Sequence, residues 1–163
     1  RMPAVMHSQY LRHMYLENAL ARPGGITLAD TPLDLTKIKV PTYILSTRED
    51  HIAPWESTYK ATQIYGGDVT FTLAMSGHVA GVVNPPSKGK YGYWTRDDNP
   101  ATGQDWLAGA EKHDGSWWPH WEAWLKQHAG PMVEARVPGK DGKLKAIEDA
   151  PGSYVKTDLR DPA

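Results

Sequence analysis

The sequence contains no cysteine among its 163 residues, which excludes disulfide bonds, zinc–thiolate sites and a thiol nucleophile supplied by this chain. It has one phenylalanine, against seven tryptophans and eight tyrosines, whose rings combine an apolar body with a polar tip. No apolar run approaches the ~20 residues that a membrane helix needs, and the first residues lack the apolar core of a signal peptide. We therefore expect a cytoplasmic protein without a membrane span.

An excess of charge of one sign is also missing. Eighteen Lys and Arg residues stand against nineteen Asp and Glu residues, for a formal net charge of −1. The absence of a basic run argues against nucleic acid as a partner. The histidines show neither an HExxH motif nor a paired Cys/His spacing, so we predict no metal site and no cofactor.

The middle of the chain has the pattern strand, helix, strand. Residues 40 to 47 form a β-rich run, residues 54 to 65 a helical pattern, and residues 69 to 75 an alternating apolar pattern. Because the connections are short, this order predicts a parallel βαβ unit and the α/β fold class.

Two titratable side chains follow these strands at the same distance. Asp50 comes three residues after Thr47, and His78 comes three residues after Met75. Sites in parallel sheets lie beyond the carboxyl ends of the strands, so we expect Asp50 and His78 side by side. The order matches the acid and histidine of an α/β-hydrolase triad, which follow the nucleophile in the chain. We predict a catalytic pair whose nucleophile lies upstream of residue 1. Taken singly, Asp50 could instead cap the following helix, and His78 could be an ordinary loop histidine.

Several strings of residues carry a more specific signal. They resemble the carboxy-terminal part of class I polyhydroxyalkanoate synthases, the bacterial polyester polymerases, from about residue 10 to residue 154. The strings are KIKVPTYILSTREDHIAPW, SGHVAGVVNPP, KYGYW, WLAGA, GSWWPHWEAWL and APGSYV.

The resemblance implies the carboxy-terminal portion of an α/β-hydrolase fold and an acyltransferase that polymerises 3-hydroxyacyl-CoA, with 3-hydroxybutyryl-CoA as the expected substrate, and releases CoA. It implies a Cys–His–Asp triad in which Asp50 of the RED string and His78 of the SGH string match the family residues. The family cysteine has no counterpart here. We expect it in a missing amino-terminal portion, in keeping with a chain that begins at Arg1, and we expect this chain alone to be inactive.

The resemblance also divides the chain into three parts. Residues 1 to 30 are expected to hold the end of a lid, residues 31 to 130 the carboxy-terminal half of the catalytic domain, and residues 131 to 163 an extended strap. The expected partners are the acyl-CoA substrate, the growing polyester, the missing amino-terminal portion and, through the lid, a second copy in a homodimer. The expected location is the cytoplasm, at the surface of the polyester granule.

The remaining segments receive local predictions. A helix is predicted over residues 5 to 21, with Met6, Tyr10, Met14 and Ala21 on one face. Another is predicted within residues 115 to 125, where Pro119 suits the start of a helix. In the second helix, packing on the sheet is favoured over a ligand-stacking platform for the face of Trp117, Trp121, Trp124 and Leu125. Loops are predicted over residues 84 to 94, where Lys88 or Lys90 could lie near a CoA phosphate, and over residues 95 to 105. His51 is treated as a structural neighbour of Asp50.

Two other functions stay open. The chain could be a non-catalytic module that binds the granule or another synthase chain, or a polyester depolymerase with the same acid and base. The identity of the nucleophile distinguishes them. The sequence also leaves open whether Asp50 orients His78 or deprotonates the substrate hydroxyl, and which side-chain length of the monomer is preferred.

Overall fold

The computed structural model describes residues 2–137, 139–140, 142–158 and 160. The chain forms two compact units, Arg1–His128 and Ala129–Ala163. Among the described residues, no helix has the length and apolar character needed to cross a membrane. The predicted division into lid, catalytic half and strap stays a prediction.

The larger unit contains a short hairpin and a four-stranded sheet. The hairpin pairs β1 (Thr27–Leu28) with β2 (Thr31–Pro32). The sheet has the order β3-β4-β5-β6, and its strands are β3 (Thr42–Thr47), β4 (Val69–Ala74), β5 (Gly92–Thr95) and β6 (Glu111–Asp114). Strands β3 and β4 are parallel, whereas β4–β5 and β5–β6 are antiparallel. The α/β class and the parallel βαβ unit are confirmed.

The connection between the parallel strands is helical but shorter than predicted. Helix α2 spans Trp55–Tyr59 and continues as a 3-10 turn over Lys60–Gln63. Gly66 follows this region, and glycine is needed there because a Cβ would lie 2.1 Å from the backbone oxygen of Thr36. Trp55 and Tyr59, one helical turn apart, are both buried.

The core is aromatic, and the single phenylalanine lies at its centre. Phe71 of β4 makes edge-to-face contacts with Tyr59, at 5.0 Å between ring centroids, and with Trp106, at 4.9 Å. Trp106 belongs to α3 (Gly103–Ala108), whose amino end is capped by Thr102 Oγ1, which accepts a hydrogen bond from Asp105 N–H. The core cluster consists of Trp55, Tyr59, Phe71, Leu73, Trp94 and Trp106.

Two predicted loops are therefore partly wrong. Residues 84 to 94 include most of β5, and residues 95 to 105 include its last residue and the start of α3. Their Gly, Pro and charge content concealed Trp94, which is buried through pairing with neighbouring strands.

The predicted helix near the tryptophans is present as α4, over Trp118–His128. It packs on β3 through Tyr43, whose ring centroid lies 5.4 Å from that of Trp124. The Tyr43 hydroxyl is hydrogen-bonded to His120 Nδ1 at 2.8 Å, and burial raises the pKa of Tyr43 to about 12. Trp121 and Leu125 remain 40% and 39% exposed, so only part of the predicted face packs on the sheet.

The first helix is broken where one continuous helix over residues 5 to 21 was predicted. Helix α1 spans Ala4–Tyr10, a π-helical segment covers Leu11–Leu16, and a 3-10 turn covers Ala19–Ala21. Asn18, with φ of 45°, adopts a left-handed conformation that interrupts the helical path. Met6, Tyr10 and Met14 do share one face, because all three line a cavity of about 380 Å³ beside the hairpin. Ala21, predicted on the same face, lies in the 3-10 turn and does not line this cavity.

The smaller unit has little regular structure. Its one helical element within residues 129–137, 139–140, 142–158 and 160 is a 3-10 turn over Tyr154–Lys156. The surface strap predicted for residues 131 to 163 stays a prediction.

Candidate active site

The site forms where the two parallel strands end together. Thr47 at the end of β3 pairs with Ala74 at the end of β4. Backbone bonds continue the pairing beyond the strands, because Arg48 N–H donates to Ala74 O at 2.8 Å and Glu49 N–H donates to Ser76 O at 3.0 Å. The two segments therefore run side by side up to the residues that carry the titratable side chains.

Asp50 and His78 meet at this edge, as the sequence predicted. His78 Nδ1 lies 2.7 Å from Asp50 Oδ2, although the residues are 28 positions apart. The other carboxylate oxygen, Oδ1, accepts hydrogen bonds from the backbone N–H groups of Ile52 at 2.9 Å and Ala53 at 3.0 Å. Asp50 thus organises the turn before α2 and contacts His78 at the same time.

The hydrogen bonds stabilise the charged form of Asp50. The N–H of Ala53, followed by the hydrogen bond from His78, lowers the pKa of Asp50 to about 2. The carboxylate is therefore ionised at neutral pH and can only accept hydrogen bonds. This assigns the bridging proton to His78 Nδ1, and in a neutral imidazole it leaves Nε2 unprotonated as a base.

The two side chains differ in exposure. The Asp50 side chain is 8% exposed, whereas that of His78 is 50% exposed. Within the described part of the chain, the imidazole makes no other side-chain hydrogen bond than the one to Asp50. The arrangement leaves the imidazole accessible from solvent, with a shielded carboxylate behind it.

The backbone around His78 is unusual. Ser76 has φ of 72°, a left-handed conformation that costs a non-glycine residue about 1–3 kcal/mol and is often found at functional sites. After the turn, Gly81 N–H donates to Gly77 O at 2.9 Å, which closes one helical turn around His78. Asn84, only 3% exposed, ends the segment by donating its Nδ2–H to Lys90 O at 2.9 Å.

Other predicted neighbours do not join the pair. His51 is exposed, and no side-chain hydrogen bond links it to Asp50 or to other described residues. Lys88 and Lys90 are exposed on the loop after the site, and their contact with a phosphate stays a prediction. Among the residues that the structure describes, no three His, Asp or Glu side chains come together as a metal site.

The backbone donors of Ile52 and Ala53 were missed from the sequence. The signal for them is present, because an aspartate at the start of a turn commonly accepts a hydrogen bond from the backbone N–H two residues later. The prediction considered a cap on the helix, whereas the observed bonds lie in the turn that precedes it.

Known proteins with similar sequences agree with the resemblance found in the motifs. The poly(3-hydroxyalkanoate) polymerase subunit PhaC of Cupriavidus necator is 48% identical over 155 residues, which cover 95% of this chain and 26% of that protein. The polymerase of Methylorubrum extorquens is 51% identical over 159 residues, which cover 96% and 26%. This chain is similar to part of a poly(3-hydroxyalkanoate) polymerase. Polymerase 1 of Ectopseudomonas oleovorans is 37% identical over 155 residues, which cover 95% of the chain and 28% of that protein.

The resemblance found in the sequence motifs is therefore confirmed over nearly the whole chain. The chain spans about a quarter of the length of these relatives, 26% for the first two. No family model matches it.

Proposed function

We propose that this chain supplies the histidine and aspartate of the catalytic triad of a polyhydroxyalkanoate synthase. The enzyme is an acyltransferase with an α/β-hydrolase-like catalytic domain, to which this chain contributes a carboxy-terminal portion. It polymerises (R)-3-hydroxyacyl-CoA, with 3-hydroxybutyryl-CoA as the first candidate, into polyester at the granule surface. The observation that carries the proposal is the 2.7 Å contact between His78 Nδ1 and Asp50 Oδ2 beyond two parallel strands. The 48% identity to a part of a named polymerase supports it.

The nucleophile in this proposal is a cysteine outside these 163 residues. The chain contains no cysteine and covers 26% of the matched polymerase. A thiol with an ordinary pKa of ~8.5 needs a base at cellular pH, and an imidazole suits that task. His78 Nε2 takes the thiol proton, and the thiolate attacks the thioester carbon of the substrate. The carbon–sulfur bond to CoA then breaks, and the CoA thiolate takes the proton from the imidazolium.

Chain extension uses the same base. The hydroxyl of the next 3-hydroxyacyl group gives its proton to His78 Nε2 while its oxygen attacks the acyl–cysteine thioester. The new ester bond forms, the bond to the cysteine sulfur breaks, and the sulfur regains the proton from the imidazolium. The extended chain is then a CoA thioester, and the first step returns it to the cysteine with release of CoA. Each cycle thereby adds one unit and leaves His78 neutral.

The geometry supports an orienting role for Asp50 rather than a second base. A carboxylate with a pKa of about 2 binds a proton weakly. Its Oδ1 already accepts two backbone N–H groups and its Oδ2 faces His78. The side chain is 8% exposed, which leaves little surface for a substrate hydroxyl. Asp50 therefore holds the imidazole in the tautomer that frees Nε2 and stabilises the imidazolium when it forms.

The hydrogen-bonded pair also helps to judge the two alternative functions, a binding module and a depolymerase. A module that only binds the granule or another synthase chain does not need an acid hydrogen-bonded to a half-exposed histidine. A depolymerase would use the pair equally well, but it would release soluble hydroxy acids from polyester instead of CoA from thioesters.

The test is CoA release from 3-hydroxybutyryl-CoA by the enzyme that combines this chain with the cysteine-bearing portion. We expect His78→Ala to lower the rate roughly 10²- to 10⁴-fold, the range for a general base. His51→Ala is the matched control, since it removes an exposed neighbouring imidazole. Wild-type rates in His78→Ala would contradict the proposal, and hydrolysis of polyester without CoA release would favour the depolymerase.

A further inference from the structure

The segment that carries His78 is anchored on both sides of the histidine. On the amino side, Ser76 O accepts a hydrogen bond from Glu49 N–H. On the carboxyl side, Trp117, just before α4, and Trp118, its first residue, hold consecutive backbone carbonyls. Trp117 Nε1–H donates to Gly81 O at 3.1 Å, and Trp118 Nε1–H donates to Val82 O at 3.0 Å.

Gly81 couples the tryptophans to the histidine. Its N–H closes the turn around His78 by donating to Gly77 O at 2.9 Å, while its carbonyl accepts from Trp117. A Cβ on Gly81 would lie 2.5 Å from Met75 O and 2.6 Å from Thr47 Cγ2. The peptide therefore lies directly against the ends of both parallel strands, and a shift of its carbonyl must move the turn that holds His78.

The tryptophans are themselves fixed by regular structure. The ring of Trp117 stacks on Tyr43 of β3, with 6.3 Å between centroids and an interplanar angle of 27°. The backbone N–H of Trp118 donates to the buried Ser116 Oγ at 3.1 Å, which fixes the first residue of α4. The two indoles thus link β3 and α4 to the turn that carries the base.

We propose that Trp117 and Trp118 are positioning residues that set the direction of the His78 imidazole by holding the carbonyls of Gly81 and Val82. The inference rests on the proposed function in taking His78 as the base. Its geometric content, the alignment of His78 Nδ1 with Asp50 Oδ2, can be measured without turnover.

The first experiment observes the imidazole directly, with isotope-labelled histidine, in the enzyme that combines this chain with the cysteine-bearing portion. Trp117→Phe and Trp118→Phe keep an aromatic ring but remove the indole N–H. We expect the Nδ1 proton signal of His78 to broaden or disappear, and its two ring-nitrogen shifts to move toward each other as the tautomers mix. Trp121→Phe is the matched control: Trp121 lies on α4, 6.3 Å from the ring of Trp117, and its N–H makes no hydrogen bond within the described residues.

The second experiment measures kinetics in the enzyme that includes the cysteine-bearing portion. A misdirected base slows the chemical step more than it weakens substrate binding, so we expect kcat for CoA release to fall roughly ten- to a hundredfold. KM should stay within about twofold of the wild-type value, because the misdirected base is needed in the transition state and not for substrate binding. A smaller folded fraction would also lower the apparent kcat, so each rate is normalised to the amount of folded enzyme. Circular dichroism verifies that each variant folds. If Trp117→Phe does not fold, Trp118→Phe decides the test.

The outcomes separate the two proposals. If His78 signals and kcat in both variants match those of Trp121→Phe, the positioning role is overturned. If the signals change but wild-type protein releases no CoA, the positioning role stands and the proposed function fails.

Discussion

Asp50 and His78, the proposed acid and base, are held in different ways. Asp50 is fixed by its own neighbours, because its Oδ1 accepts the N–H groups of residues two and three positions later. His78 lies in a turn whose far end is held by tryptophans 36 residues away in sequence. The acid is therefore positioned by local structure, whereas the direction of the base depends on tertiary contacts.

Asp50 and His78 also differ in exposure to solvent, in a way that fits their proposed roles. Asp50 needs only to remain an oriented anion, which suits a side chain that is 8% exposed. In the proposed function His78 must reach a substrate, and its side chain is 50% exposed. A base with so few contacts of its own needs a rigid backbone, which the strand ends and the indole N–H groups provide.

Replacing the locally held acid gives the largest expected effect. In Asp50→Asn the amide oxygen can still accept the backbone N–H groups, but the amide NH₂ then faces His78 Nδ1 and favours the tautomer with its proton on Nε2. We expect CoA release to fall on the order of 10²- to 10⁴-fold. Glu49→Gln is the matched control, since the exposed Glu49 contributes only its backbone to the site. Equal rates in the two variants would show that Asp50 does not orient the base.

Adding one methyl group at Gly81 tests whether tertiary contacts hold the turn that carries His78. In Gly81→Ala the new Cβ meets the backbone oxygen of Met75 at 2.5 Å, so the turn must shift. We expect a loss of about 1–3 kcal/mol in the free energy of unfolding, measured by urea titration. Gly77→Ala is the control in the same turn, because the nearest atom to its Cβ would be Glu49 O at 3.7 Å. Similar losses in both variants would contradict the close approach at Gly81.

The smallest expected effect is a change in the pKa of Asp50 in the His78→Ala variant. The largest cause of the low Asp50 pKa is the N–H of Ala53, which His78→Ala leaves in place. Carboxyl-carbon NMR titration should therefore show a pKa that rises above about 2 but stays below the ordinary value of 3.8. A value of 3.8 or higher in the variant would mean that the turn depends on His78.

The low pKa also predicts how stability depends on pH. Because the folded pKa lies below the ordinary value of 3.8, the ionised carboxylate stabilises the folded protein above about pH 4. This contribution is lost as the pH falls through about 2. Comparing unfolding of wild type and Asp50→Asn across that window measures it.

The sequence predicted the parallel part of the sheet better than the antiparallel part. Strands β3 and β4 are apolar runs with clear ends, and the helical pattern between them requires a crossover. Strand β5 has four residues and follows a segment rich in Gly and Pro, so its local pattern indicates a loop. Helix α3 is short and polar apart from Trp106 and its neighbours, and burial of Trp106 against Phe71 depends on contacts between distant residues.

The sequence by itself determined that Asp50 and His78 share one edge of a sheet, because two strands joined by a helix run parallel and their following residues emerge together. It also contains the local turn that lowers the Asp50 pKa. Only the tertiary structure decided the direction of His78 Nδ1 toward Asp50 and the hold of Trp117 and Trp118 on the turn. Hydrogen bonds require alignment of two groups in space, and for residues 28 and 36 positions apart that alignment exists only after the strands and α4 have packed.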